Sequence, residues 1–529
     1  MGSALVSQVS PARRVALAVL VEAGRRDARV RELLDSSKAL RALDRRDASF
    51  ARRLVLGATA TEGCLDQALD AHLSKPGKVA PRVRAALRLA AFELIYLGQR
   101  REVAVSQGVE LVRSQARAAA GLANAVLRRV ADDRDAFLSA LDVDAGERSL
   151  AARARRAGLP VWLLSRIEAS LGDTAASELC AAQLEPAPIA ICAAPAPCEG
   201  RPDAAADKPG GYCRGFERPE EKLGDTVGLF GPAPSTAGNG GLATCGFHAG
   251  ATACTSGVAE NPYTIDEFSA GHPETPTVSG SFTGQPGQTG LPAGCEVVSD
   301  FPAFVATGAL ERVEAVVSDV NAQTVALAAT RPGSCLEIGA GRGTKTYVMA
   351  AAAMHRGLAR EHVALELYPA KCRQNLARLE RAGLSDGVRV IAGDATDLDT
   401  ALTELDAPAG ERRLFDTVLV DAPCSGTGTM RRHPEIPWRL AERDVDESLP
   451  GLQLRLLQEA ARRVAPGGLL VYATCSVLSA ENDRVVDCFL ATEAGRAFGV
   501  ASRHQTHPAP GAFDGHYHAV LRRADEGVR

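Results

Sequence analysis

The chain has 529 residues, 46% of them hydrophobic and 23% charged, with a formal net charge of −4. That length predicts two or three domains, and the composition is that of a soluble globular protein. No stretch reaches the roughly 18 apolar residues of a membrane span, the start "MGSALVSQVSPARRVALAVL" lacks a secretory apolar run, and 13 cysteines in so long a chain make no disulfide scaffold, so a cytoplasmic location with reduced thiols is expected.

Residues 11 to about 175 read as helices. "PARRVALAVLVEA", "DASFARRLVLGATATEGCLDQALDAHL", "PRVRAALRLAAFELIYLG" and "GLANAVLRRVADD" repeat apolar residues at helical spacing, with stops such as "SKPGK" between them. With no β-rich run among them, an all-α domain over 1–175 is predicted. Residues 1–150 hold 25 lysines and arginines against 18 acids, a surplus that suits a phosphate backbone and equally suits a solvated helix face. After a connecting segment at 176–198, residues 199–300 turn rich in Gly, Pro, Ser and Thr, and no Lys or Arg occurs from Leu223 to Glu311. This reads as a disordered insert. Cys198, Cys213, Cys245, His248, Cys254 and Cys295 form no CxxC pair, so no metal is expected.

From 301 to 529 strands and helices alternate. "SCLEIGAG", "HVALEL", "VRVIAGD", "FDTVLVD" and "LLVYATCS" read as strands, and "TKTYVMAAAAMH", "PAKCRQNLARLERAG" and "LPGLQLRLLQEAARRVAPGG" as helices. That is the pattern of a doubly wound, mainly parallel sheet, with "DGHYHAVLRR" as a final edge strand.

In such a sheet ligands bind at the carboxyl ends of the strands. The first strand runs into "GAGRGTKT", a Gly-rich turn that lets backbone approach a ligand closely. The next three end at Glu366, Asp394 and Asp421, acids suited to a nucleoside; a nicotinamide cofactor and S-adenosylmethionine fit equally well at this point. Two cysteines then stand just past neighbouring strands, Cys424 in "DAPCSGTG" and Cys475 in "ATCS". Both lie among Pro, Ser and Gly rather than on an apolar face. A thiolate beside a methyl donor suits attack on an electron-poor ring: C5 of cytosine takes a methyl group only after a nucleophile has added to C6.

"DAPCSGTG" followed by "ATCS" resembles the paired motifs of the RNA (cytosine-5) methyltransferases, and "LDRRDASFARRLVLGATATEGCLDQALDAHL" with "AGLANAVLRRV" is similar to the NusB-like domain of the Fmu/Sun (RsmB-like) branch, which acts on small-subunit ribosomal RNA. The resemblance covers roughly residues 11–185 and 305–525. It implies an all-α NusB-like RNA-binding domain followed by an α/β Rossmann-like class I methyltransferase domain, S-adenosylmethionine as methyl donor, and RNA as partner. It further implies catalytic Cys475 (attack on C6), Cys424 (removal of the C5 proton and release), Asp421 (the cytosine N3 edge) and Lys345. The implied cofactor positions are Gly339, Ala340, Gly341, Arg342, Gly343, Thr344, Lys345, Glu366, Asp394 and Asp421.

The sequence departs from the family where the turn usually reads Cys-Ala-Ala-Pro-Gly-Gly-Lys-Thr: Arg342 replaces the proline, Thr344 a glycine, and Glu366 the usual Asp. "MRRHPEIPWR" offers Arg431, Arg432, His433 and Trp438 as phosphate and stacking contacts. Transfer RNA or large-subunit RNA as substrate, and a non-catalytic RNA-binding scaffold, are the competing readings.

Overall fold

The computed structural model describes residues 9–26, 28–139, 149–195, 291–406 and 411–525. Met1–Ala194 and Thr264–Arg529 make one compact unit, and the bulk of the Gly/Pro/Ser/Thr-rich stretch lies outside the described residues. No described helix is long and apolar enough to cross a membrane.

The N-terminal part is helical throughout. Helices Pro11–Arg26, Arg45–Ala60, Pro81–Ile95, Arg101–Gln115 and Ala120–Asp132 enclose one core that includes Leu54, Val55, Leu87, Leu111 and Leu127. Asp44 caps the second of these by accepting from Asp47 N (2.8 Å), and Pro81 opens the third where no donor is needed. Inside this core Arg13 Nε donates to Glu93 Oε1 at 2.8 Å; two charges so deeply buried are tolerable only as a pair. Helices Leu150–Ala157 and Val161–Ala182 pack elsewhere, joining Met430, Val445, Val477 and Leu478 in a separate cluster. The second of them runs past residue 175, so the chain does not leave helical structure there.

Three short strands form an antiparallel sheet in the order β2-β1-β3: β1 (Ile189–Ala193), β2 (Cys295–Val298) and β3 (Ala315–Val317). The connecting segment at 176–198 therefore contributes a strand, and so does the described end of the presumed disordered insert. Cys295, the described member of the cysteine set read from that region, stands in β2 opposite Cys192.

The large sheet has the order β6-β5-β4-β7-β8-β10-β9. Its strands are β4 (Gly333–Ile338), β5 (Arg360–Glu366), β6 (Val388–Ala392), β7 (Phe415–Asp421), β8 (Val464–Thr474), β9 (Phe498–Gln505) and β10 (Tyr517–Arg523). β4 to β8 pair in parallel; β10 runs antiparallel to both its neighbours. Two sequence expectations need correction. "DGHYHAVLRR" is an inner strand, since β9 takes the edge, and "VAPGG" opens β8 instead of ending the preceding helix, which stops at Ala461. Chain order reverses between β4 and β7, the place where doubly wound sheets open a crevice.

Candidate active site

That crevice is built first from glycines. Gly339, at φ +80, passes so close to the end of β7 that a Cβ there would stand 2.4 Å from Asp421 O. Gly343, at φ +83, caps helix Thr344–His355, and a Cβ on it would meet Asn375 Oδ1 at 1.9 Å. Left-handed backbone and lack of room both demand glycine here. Beneath the turn Asn375 Nδ2 donates to Thr346 Oγ1 (3.1 Å), which donates to the buried Glu337 Oε2 (2.8 Å).

The acids at the strand ends differ in what they do. Glu366, buried at the end of β5, turns back to the Gly-rich turn: its Oε2 accepts from Gly341 N at 2.9 Å and its Oε1 from Tyr368 N at 3.2 Å. Asp394 is exposed and braces its own loop, taking both Thr396 N and Thr396 Oγ1 on Oδ1 at 2.8 Å. Asp421 accepts from Lys345 Nζ at 2.8 Å. Burial weighs against the Lys345 ammonium, but the Asp421 carboxylate outweighs it and holds the lysine pKa above its ordinary value. Arg342 points outward, 3.6 Å from Glu32 of the helical domain, and Thr344 Oγ1 accepts from Arg378 at 3.3 Å.

The two cysteine loops meet. Cys424 Sγ lies 3.3 Å from Cys475 Sγ, and Cys475 N donates to Cys424 Sγ at 3.3 Å. Both residues are half-buried. A hydrogen bond from Cys424, helped by the Lys345 ammonium, lowers the Cys475 pKa against its burial. The same hydrogen bond, with burial, pushes Cys424 well up. Cys475 is thus the sulfur readier to carry negative charge, and Cys424 the one that keeps its proton.

Two buried residues near this pair went unread in the sequence. Glu481 lies below both loops, 0% exposed, and accepts from Ser425 N at 2.8 Å and Ser476 Oγ at 2.6 Å. His516 shares a sheet face with Asp421: β7 pairs Asp421 with Ala473, β10 pairs Ala473 with His518, and His516 precedes His518 by two residues. Its Nδ1 is buried with no hydrogen-bond partner among the described residues, and burial followed by the Lys345 charge drives its pKa down to about 4. Nothing local marks either one, because Glu481 draws Ser425 from 56 positions away and Gln453 from 28, and the charge that acts on His516 is that of Lys345, far back in the chain.

The basic stretch after Cys424 needs correction. Arg431 is buried against Asp514 (Nε–Oδ1 3.0 Å), and Arg432 pairs with Asp514 and with Asp319 (3.1 Å). Trp438 Nε1 donates to Ala60 O at 2.8 Å, and its ring lies over Gly63, where a Cβ would stand 2.1 Å from it. Burial lowers the His433 pKa, and Arg31 of the helical domain donates to Arg432 O. Trp438 and the Arg432 carbonyl thus hold the N-terminal helices, while the two arginine side chains are spent on Asp514, Asp319 and nearby carbonyls rather than on a polynucleotide. Unseen acids and carbonyls had claimed the charges.

Residues 324–518 match the family model described as 16S rRNA methyltransferase RsmB/F, and residues 10–132 match that of the NusB family. A ribosomal RNA small subunit methyltransferase B from Pasteurella multocida (strain Pm70) is 34% identical over 237 residues, covering 43% of this chain and 49% of that protein. The chain therefore spans about half the length, or less, of the first such relatives it matches. A putative methyltransferase of Mycobacterium tuberculosis is 29% identical over 482 residues, 89% of this chain and 85% of that one. Among solved structures, the crystal structure of PH0851 superposes with a TM-score of 0.61 at 16% identity, over 98% of this chain and 99% of that chain, a likeness of fold. Residues 10–132 are thus a NusB-family domain and residues 324–518 an RsmB/F-family methyltransferase domain.

Proposed function

We propose that the chain transfers a methyl group from S-adenosylmethionine to C5 of a cytosine in RNA, with small-subunit ribosomal RNA as substrate. The observation that carries this reading is the 3.3 Å pairing of Cys424 and Cys475 beside the Lys345–Asp421 pair, at the crevice where chain order reverses. The residues fit the donor: a Gly-rich turn, left-handed at Gly339, Gly341 and Gly343, that has no room for a Cβ at the first and last of these, and a buried Glu366 at the end of β5. In that reading the turn from Gly339 to Lys345, with Glu366, Asp394 and Asp421, holds the donor, which supplies an electrophilic methyl group.

The chain's own groups do the rest. The target base leaves its stack to enter the crevice. Cys475 Sγ adds to C6 while N3 takes a proton passed from the Lys345 ammonium through Asp421, returned on release, so that the negative charge brought by the thiolate is offset on the ring. C5 takes the methyl group. Cys424 assists removal of the proton from C5, the electron pair of that C–H bond re-forms the C5–C6 double bond, and the Cys475–C6 bond breaks.

The test is incubation with labelled S-adenosylmethionine and ribosomal, then transfer, RNA. Transfer to small-subunit RNA that Cys475→Ala abolishes, with a denaturation-resistant protein–RNA adduct in Cys424→Ala, is the expected result. An adduct in Cys475→Ala instead would exchange the two roles. Transfer confined to another RNA would move the substrate, and binding without transfer in every RNA would make the chain a scaffold.

A further inference from the structure

A carboxylate with no access to water is costly to keep, and Glu481 is such a group. Its two oxygens are satisfied by four donors. Oε1 accepts from Ser425 N (2.8 Å) and Gln453 Nε2 (3.1 Å), and Oε2 from Ser476 Oγ (2.6 Å) and Ser425 Oγ. Ser425 follows Cys424 directly, and Ser476 follows Cys475. One side chain therefore bonds the residue next to each thiol, across 51 positions of sequence.

The surroundings extend the tie. Gln453 Nε2 also donates to Pro423 O at 2.9 Å, on the other side of Cys424. Thr427 Oγ1 lies 3.0 Å from Ser476 Oγ and accepts from Val477 N at 3.1 Å. Tyr472 OH holds the Glu481 carbonyl at 2.6 Å, which anchors the clamp to β8. Beyond the last sheet pair, Asp421 with Ala473, the main chain ties the loops through Gly428 N, which donates to Cys475 O at 2.9 Å, and the side chains gathered on Glu481 supply further bonds between them.

We propose that Glu481 is a positioning residue that clamps the two cysteine loops at the separation methyl transfer needs. The inference rests on the function proposed above. The nucleophile bonds C6 and the proton leaves the adjacent C5, so the two sulfurs have to address ring atoms one bond apart, as a 3.3 Å pair can. An error of about 1 Å in such placement costs tenfold to a hundredfold in rate. Loosening the clamp leaves Cys475 able to attack but strands the adduct, because Cys424 no longer stands beside C5 to assist removal of its proton.

The test has two arms, each on the full chain. In the first, without RNA or methyl donor, a diazenedicarboxamide oxidant couples Cys424 to Cys475. Both thiols give up a proton and an electron, the S–S bond forms, the azo bond is reduced to a hydrazine, and peptide mapping follows the product. Wild type closes quickly; Glu481→Gln closes about ten times more slowly or worse. Should Glu481→Gln fail to fold, the pair Ser425→Ala with Ser476→Ala removes the hydroxyl donors and leaves the carboxylate. In the second arm Glu481→Gln lowers kcat about tenfold or more, with KM for RNA and for the methyl donor within about twofold, and accumulates adduct; Glu481→Asp restores part of the rate.

Equal closure in wild type and the variants overturns the clamp. So does a loss of rate that falls on both KM values and leaves no adduct. Slow closure in the variants beside a wild type that methylates no RNA keeps the clamp as a device of the fold and removes the transfer reading instead.

Discussion

Arg431 offers a decisive contrast between a structural and a nucleic-acid role. Its side chain and that of Asp514 are each 1% exposed and meet at 3.0 Å, and Arg431 also donates to Ala509 O at 3.4 Å and to Ala512 O. Removing one partner of a buried ion pair costs about 3–5 kcal/mol, since the other charge is left stranded. Asp514 would retain Arg432 and its own N–H bond to Asp319 (3.1 Å), which places Arg431→Met near the lower end, about 3 kcal/mol. At about 2–4 °C per kcal/mol for a domain of this size, Tm should fall by about 6–12 °C. Thermal unfolding by circular dichroism measures that shift, and a filter-binding titration at two salt concentrations, below the lowered Tm, measures RNA affinity. The expected outcome is a lower Tm with affinity and salt slope unchanged. A variant that melts like the parent, binds RNA more weakly and loses about one unit of salt slope would refute the structural role and make Arg431 a phosphate contact.

Lys345→Met should move the iodoacetamide reactivity of Cys475 to higher pH. The ammonium favours the thiolate, so without it a higher pH is needed to remove the proton; an unchanged inflection would detach Lys345 from the sulfur. Gly343→Ala must seat a methyl group 1.9 Å from Asn375 Oδ1 at a left-handed φ, a backbone cost of about 1–2 kcal/mol before any clash. Calorimetric binding of S-adenosylhomocysteine should weaken at least tenfold. His516 and His518, both driven down to about 4, stay neutral when folded but take a proton near 6.5 when unfolded. Stability is then full above about pH 6.5 and declines as pH falls through about 4, by up to about 3 kcal/mol for each histidine, and urea melts of His516→Phe should show a flatter profile across that window. Gly63→Ala intrudes on the Trp438 ring and should cost about 1–3 kcal/mol, read as earlier protease cleavage between the helical and catalytic parts.

The readable features of this chain were those whose physics is local. Turns of period 3.6 mark the helices of the first part, and β-formers ending in acid or glycine mark the carboxyl edge of the large sheet, so Gly339, Asp421, Cys424 and Cys475 were within reach of inspection. What escaped depends on partners far along the chain. β1 and β2 are short, and about a hundred residues separate their pairing positions, so neither looks like half of a sheet. Strand order is equally invisible to periodicity, which is why β10 passed for an edge strand. The arginines at 431 and 432 misled for the same reason: charge shows in composition, whereas the acid that neutralises it, Asp514, stands 83 and 82 positions away.

The two cysteines are alike in residue type and in setting, each following a strand and preceding a serine, so sequence alone offers no physical ground for giving them different tasks. The electrostatics around them does. Lys345 pulls the Cys475 proton away, whereas Cys424 serves as donor to Cys475 and sits with it above the buried charge of Glu481, which raises both. The difference between the sulfurs therefore comes first from the hydrogen bond between them and then from one cation, Lys345, placed by the first turn of helix Thr344–His355, and that turn starts where it does because Gly343 can take a left-handed φ. A backbone conformation in the Gly-rich turn thus helps to lower the pKa of a thiol at the end of a strand two positions away in the sheet.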